Sequence, residues 1–198
     1  MRAEMTVDAR LRGMEQNKML MLGFIASEAT FFTFLIIAYV YFRTFPETGP
    51  SARSVLDPMK TGIFSIFLIA SSFTLHVGQI SLRKGGASAF GHWLLVTIGF
   101  GAIFLTGQAL EWNALIAEQV TISRNLFGAT FYTLTGLHGL HVFVGLVFLT
   151  IVYGLTLRGD FAGGGDPAGV ECLSLYWHFV DVVWILLFGI IYLGVFAG

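Results

Sequence analysis

Apolar residues along this chain gather into five long runs, near Met19 to Phe42, Thr61 to Leu82, His92 to Leu110, Leu126 to Leu157 and Leu173 to Phe196. Each run approaches or exceeds the ~20 residues that carry a helix across ~30 Å of hydrocarbon at ~1.5 Å per residue. Strands are a poor alternative, because open edges would leave backbone N–H and C=O groups unpaired in lipid. The pattern predicts an all-α polytopic membrane protein. It has a single bundle of five transmembrane helices over residues 19–198, preceded by a mixed-charge arm over residues 1–18. The fourth run is long enough to tilt or to project from the bilayer.

The breaks between runs have local causes. Pro46, Gly49, Pro50 and Pro58 interrupt the chain after the first run, Arg83-Lys84-Gly85-Gly86 ends the second, and Gly163-Gly164-Gly165-Asp166-Pro167 separates the fourth from the fifth. No repeat of useful period is visible, so neither a solenoid nor an inverted-repeat transporter is suggested. The N-terminal arm lacks the basic, apolar and small-residue order of a secretory signal, so the first run is expected to be a retained span. Arg2, Arg10, Arg12, Lys18, Arg83, Lys84 and Arg158 fall on one side of the spans, against Arg43, Arg53, Lys60 and Arg124 on the other. The excess predicts a cytoplasmic N-terminus and an external C-terminus.

Composition agrees with lipid as the solvent: 56% of residues are hydrophobic, 12% are charged and 20 are phenylalanine. The mean hydropathy is +0.78. A net charge of -1 argues against a polyanionic partner such as nucleic acid, which requires a clustered basic surface. Cys172 is the only cysteine, which rules out an intramolecular disulfide or a thiolate cluster.

Against this background, ionisable groups inside the runs ask for an explanation, since each costs several kcal/mol unless it is paired, hydrated or neutralised. Glu28, in GFIASEATFFTF, lies about nine residues into the first run, roughly 14 Å deep and close to mid-membrane. Two readings are open for it: a carboxyl that exchanges a proton or shares one with an imidazole, or a neutral acid that pins two helices by a hydrogen bond. His138 and His141, in LTGLHGLHVFVGL, are three residues apart and so share a helix face, with Gly136, Gly139 and Gly145 nearby. Small residues let helices approach closely in lipid, and a Glu28 to His141 contact is geometrically allowed.

The fifth run opens with LYWHFVDVVWIL, where His178 and Asp181 are spaced to pair locally and Trp177, Asp181 and Trp184 form a stripe. These residues form part of a proton-linked network, or a packing lock with the aromatics as interfacial anchors; His76 is read in the same way. Glu111 sits near the external end of the third run, one turn after Gln108, either solvated or hydrogen-bonded to another helix. His76, His138, His141 and His178 could in principle be haem ligands. However, no two helices repeat a two-histidine arrangement, and no intrinsic metal or haem is expected. No Gly-rich phosphate loop, nucleophile elbow or zinc-protease helix is present, so the chain is not expected to carry a catalytic centre of its own.

GFIASEATFF, GQALEW, TIS-x-x-x-x-GATF from Thr121 to Phe131, GLHGLHVFVGL and YWHFVDVVWI follow one another in order between about Met19 and Leu193. Together they resemble subunit III of the haem-copper respiratory oxidases. The resemblance implies an accessory subunit, embedded in a bacterial inner membrane beside a catalytic subunit that alone holds haems and copper, with subunit II and small membrane subunits as further partners and phospholipid as the bound molecule. It implies support of proton uptake, durability during turnover, and lipid or oxygen access. The family's intramembrane carboxyl, reactive toward hydrophobic carbodiimides, corresponds to Glu28. Its paired histidines correspond to His138 and His141, and its fifth-helix signature to Tyr176, Trp177, His178, Asp181 and Trp184; Gln108 and Glu111 are further motif positions. The sequence opens at what resembles the third helix of seven-helix members, like the five-helix bacterial form, so one wall of their V-shaped lipid cleft has no counterpart. Arg158 is a candidate for a lipid headgroup. The SEATFF context of Glu28 leans toward cytochrome c oxidases over quinol oxidases and the related nitric oxide reductase accessory proteins. The rival classes are a stand-alone proton-coupled channel or transporter and a haem-binding electron carrier.

Overall fold

The computed structural model describes residues 2–45, 55–123, 126–161 and 168–194. Pro46, Gly49, Pro50, Arg53, Arg124, the Gly163 to Pro167 break and the end of the fifth run at Phe196 lie outside the described residues. The helices are α1 (Arg2–Phe42), α2 (Pro58–Arg83), α3 (Ala87–Ala117), α4 (Leu126–Arg158) and α5 (Ala168–Phe188), the last continued by a π turn over Gly189–Leu193. All five are long and apolar enough to cross a membrane, and no strand occurs among the described residues.

Local chemistry sets the helix ends. Asp57 caps α2: its Oδ1 accepts from the backbone N–H groups of Met59 at 3.1 Å and Lys60 at 3.2 Å, and Pro58 begins the helix, where its missing N–H costs nothing. These bonds, led by the one from the Lys60 backbone, hold the Asp57 carboxyl below its usual range. At the other end Gly85 takes a φ of +83°, a left-handed conformation that glycine adopts without a Cβ clash, and the chain reverses directly into α3. The third helix is longer than its apolar run on both sides. Gln108 and Glu111 interrupt the run without ending the helix, because polar side chains that find partners inside a bundle do not break it. Residues 2–18 of the arm are helical and continue α1 outward.

α5 is the centre of the bundle, packed on α1, α2 and α4, while α3 lies between α2 and α4. Half of the most apolar 18-residue stretch of α5 is buried, against 6% for α1, which rests on α4 and α5 from outside. Trp177 and Trp184 of α5 are fully buried, and their indole N–H groups donate to Ser71 Oγ at 3.0 Å and Ser65 Oγ at 2.8 Å on α2. They are core bolts and not interfacial anchors. Glycine makes room for one of them: a Cβ on Gly145 would stand 2.7 Å from the Trp177 ring. Where α1, α2 and α5 meet at the Arg83 end, Glu171 bridges Lys18 at 2.5 Å and Arg83 at 3.1 Å.

Candidate functional site

Among the described residues, three of the polar clusters built across helices hold residues singled out in the sequence. The first joins α1 to α4. Glu28 Oε2 stands 3.1 Å from His141 Nε2, and His141 Nδ1 lies 2.7 Å from the carbonyl of Leu137 one turn earlier. A carbonyl only accepts, so Nδ1 carries a proton. Nε2 then either accepts a proton from a neutral Glu28 or donates one to its carboxylate. Either way the pair shares a single proton along a 3.1 Å line. The imidazole is boxed by Phe32, edge-on at 5.1 Å, and by Tyr176, nearly parallel at 6.5 Å; the Tyr176 hydroxyl donates to the backbone carbonyl of His141 at 2.9 Å. His141 and Tyr176 also line an apolar groove of about 610 Å³ between α1, α4 and α5, whose walls include Met21, Phe24, Val144 and Leu173.

The second cluster joins α2 to α5. His178 and Asp181 do not bond to each other as their spacing suggests; both meet Ser72. The Ser72 hydroxyl donates to Asp181 Oδ2 and sits 2.8 Å from His178 Nδ1. A hydroxyl has one proton, so when Ser72 donates to Asp181 the Nδ1 of His178 must be the donor to Ser72. The chain of bonds thus runs His178, Ser72, Asp181. Asp181 Oδ1 has no hydrogen-bond partner among the described residues.

The third cluster joins α2, α3 and the π turn. Glu111 Oε1 accepts from Thr61 at 2.7 Å, while Oε2 accepts from Gln108 Nε2 at 3.0 Å and from the Tyr192 hydroxyl at 2.6 Å. The π turn widens the helix so that Ile191 and Tyr192, neighbours in sequence, are both fully buried. A carboxyl offered three donors is held as an acceptor from both sides. Of the two readings of Glu111, the interhelical one is realised, with the acid half-buried.

His138 and His141 part company. His138 is 1% exposed, stacked on Trp184 at 4.8 Å and met edge-on by Phe104 at 5.9 Å, with no hydrogen-bond partner on either ring nitrogen among the described residues. Arg158 is exposed in the last turn of α4. Among the described residues no three His, Cys, Asp or Glu side chains converge in a way that would hold a metal ion. Sequence reasoning missed Ser72, Thr61 and Tyr192. Hydroxyl residues within a span were the available signal for the first two; nothing in the sequence announces the π turn that aims Tyr192.

Comparison with known proteins bears on the whole chain. The profile of the family described as Cytochrome c oxidase subunit III matches residues 5–195. Cytochrome c oxidase subunit 3 of Synechocystis sp. is 39% identical over 171 residues, 86% of this chain and 72% of the relative. That of Thermostichus vulcanus is 34% identical, over 87% of this chain and 85% of the relative. Cytochrome bo(3) ubiquinol oxidase subunit 3 of Pseudomonas aeruginosa is 32% identical, over 86% and 81%. A five-helix bundle with Glu28 against His141, matched along nearly its whole length, therefore belongs to the cytochrome c oxidase subunit III family.

Proposed function

We propose that this chain is a non-catalytic accessory subunit of a haem-copper oxygen reductase, of the cytochrome c oxidase type, in a bacterial inner membrane. It binds phospholipid and leaves haem and copper to a neighbouring catalytic subunit, with subunit II and small membrane subunits completing the complex. Its N-terminus is cytoplasmic. The observation that carries the reading is the one-proton pair of Glu28 and His141, placed within a span beside an apolar groove. A pair that trades a single proton can buffer proton supply beside a catalytic neighbour without doing redox chemistry itself.

Glu28→Gln in the purified complex tests this. Glutamine fills the same space and can donate to His141 but cannot release a proton, so assembly is expected to stay intact while the number of turnovers before inactivation falls. Unchanged lifetime and unchanged proton stoichiometry would reduce Glu28 to a packing role. The Pseudomonas aeruginosa relative, a ubiquinol oxidase subunit, favours a second reading in which quinol is the electron donor. Turnover of the complex with reduced cytochrome c against turnover with quinol separates the two.

A further inference from the structure

The geometry points to the outward face of α2 as a docking seam for a transmembrane helix of another subunit of the same complex, an inference that rests on the subunit reading above. Ile66, Ile69, Phe73, His76 and Ile80 are all exposed, and their spacings of 3, 4, 3 and 4 residues form the repeat by which two helices interlock. The opposite face of α2 is already used, since Ser65, Leu68, Ser71, Leu75 and Gly78 are buried within the bundle.

An apolar stripe alone would suit lipid equally well; His76 is what distinguishes this one. It lies seven residues before Arg83, roughly 10 Å in from the helix end and inside the hydrocarbon layer. Its side chain makes no hydrogen bond within the described residues, and it stands close enough to the half-buried His178 to interact with it electrostatically. An imidazole facing acyl chains is costly, and a helix bringing a carboxyl or hydroxyl to that level removes the cost. The outward face of α4 away from the His141 groove provides the contrast: Phe143 and Val147 are exposed without an ionisable group among them, as a lipid-facing surface requires. The other exposed imidazole of the spans, His92, bonds the carbonyl of Ser88 in its own helix at 2.8 Å and sits near the helix end. A single polar residue in an interlocking row fixes the register of the partner. The partner is accordingly a helix with bulky apolar residues at the same repeat and one hydrogen-bonding side chain facing His76.

The test places a photoreactive benzophenone amino acid at Phe73, 67% exposed, and separately at Phe143, 56% exposed, in the intact complex in its native membrane. Illumination at position 73 is expected to join this chain to another membrane subunit, while position 143 yields lipid adducts. His76→Leu is expected to lower recovery of the chain with the complex several-fold after detergent washing, and His76→Gln to restore it. Position-73 adducts with phospholipid alone, or with a second copy of this chain, would overturn the seam while the subunit reading stands. If the unmodified chain does not co-purify with a haem-bearing subunit, both fall together.

Discussion

Glu28 and Glu111 are both acidic residues within membrane-spanning helices, yet they sit in opposite kinds of site. Among the described residues Glu28 has one hydrogen-bond partner, His141, at the edge of the bundle between the peripheral α1 and α4. Glu111 has three donors from three segments, and one of them, Tyr192, is completely buried. Donor count separates their roles. A carboxyl facing a single imidazole can exist as acid and neutral base or as ion pair with little change in geometry, which is what the proposed buffering role needs. A carboxyl surrounded by three donors loses bonds if it gains a proton, which makes it a structural hub joining α2, α3 and the π turn.

The contrast can be broken most forcefully at the hub. Glu111→Leu leaves Gln108 and Tyr192 without an acceptor, while Thr61 keeps the Asp57 carbonyl at 3.2 Å. Two orphaned buried donors at about 1–3 kcal/mol each predict a loss of roughly 3 kcal/mol, read as a lowered unfolding temperature in detergent. Tyr192→Phe removes one of the three bonds and predicts a loss of roughly 1.5 kcal/mol, with the fold kept. Glu28→Gln, whose amide still donates to His141, predicts less than about 1 kcal/mol, so its effect belongs to turnover lifetime and not to stability. If Glu28→Gln destabilises the protein as much as Glu111→Leu, the two sites are alike and the distinction fails. A hydrophobic carbodiimide, which attacks protonated carboxyls from the lipid side, sharpens the same point: peptide mapping is expected to find the label at Glu28 and not at Glu111.

Packing supplies a further check. A Cβ on Gly145 would meet the Trp177 ring at 2.7 Å, and Trp177 is anchored by its bond to Ser71, so Gly145→Val predicts a loss of about 1–3 kcal/mol from overpacking. The same substitution at Gly154, where a Cβ meets nothing within 4 Å, is expected to be nearly silent.

Much of the site was legible from local spacing. The depth of Glu28 followed from helical rise, and a contact with His141 was geometrically allowed because two residues near the middle of their spans lie at similar heights; the packed helices make that contact. The i, i+3 relation of Gln108 and Glu111 likewise survives as a 3.0 Å bond. By contrast, the same spacing for His178 and Asp181 suggested a direct pair, and the structure interposes Ser72. His138 and His141, inseparable in the sequence, serve different surroundings: one stacks on Trp184 in the core, the other meets Glu28 at the rim. A three-residue step turns a helix by about 300°, so neighbours on a broad face can still address different helices.

Taken alone, the sequence determined that the chain crosses a membrane five times, where the intramembrane acids and histidines lie in depth, and which family it belongs to. Run length, helical rise and motif order are one-dimensional quantities. Which faces turn inward was decided by tertiary structure alone. In water a polar face marks the outside of a helix, but lipid is as apolar as a protein core, so the inner and outer sides of these spans read alike. That is why the central place of α5, the Ser72 bridge and the convergence of Thr61, Gln108 and Tyr192 on Glu111 emerged only once the helices were packed.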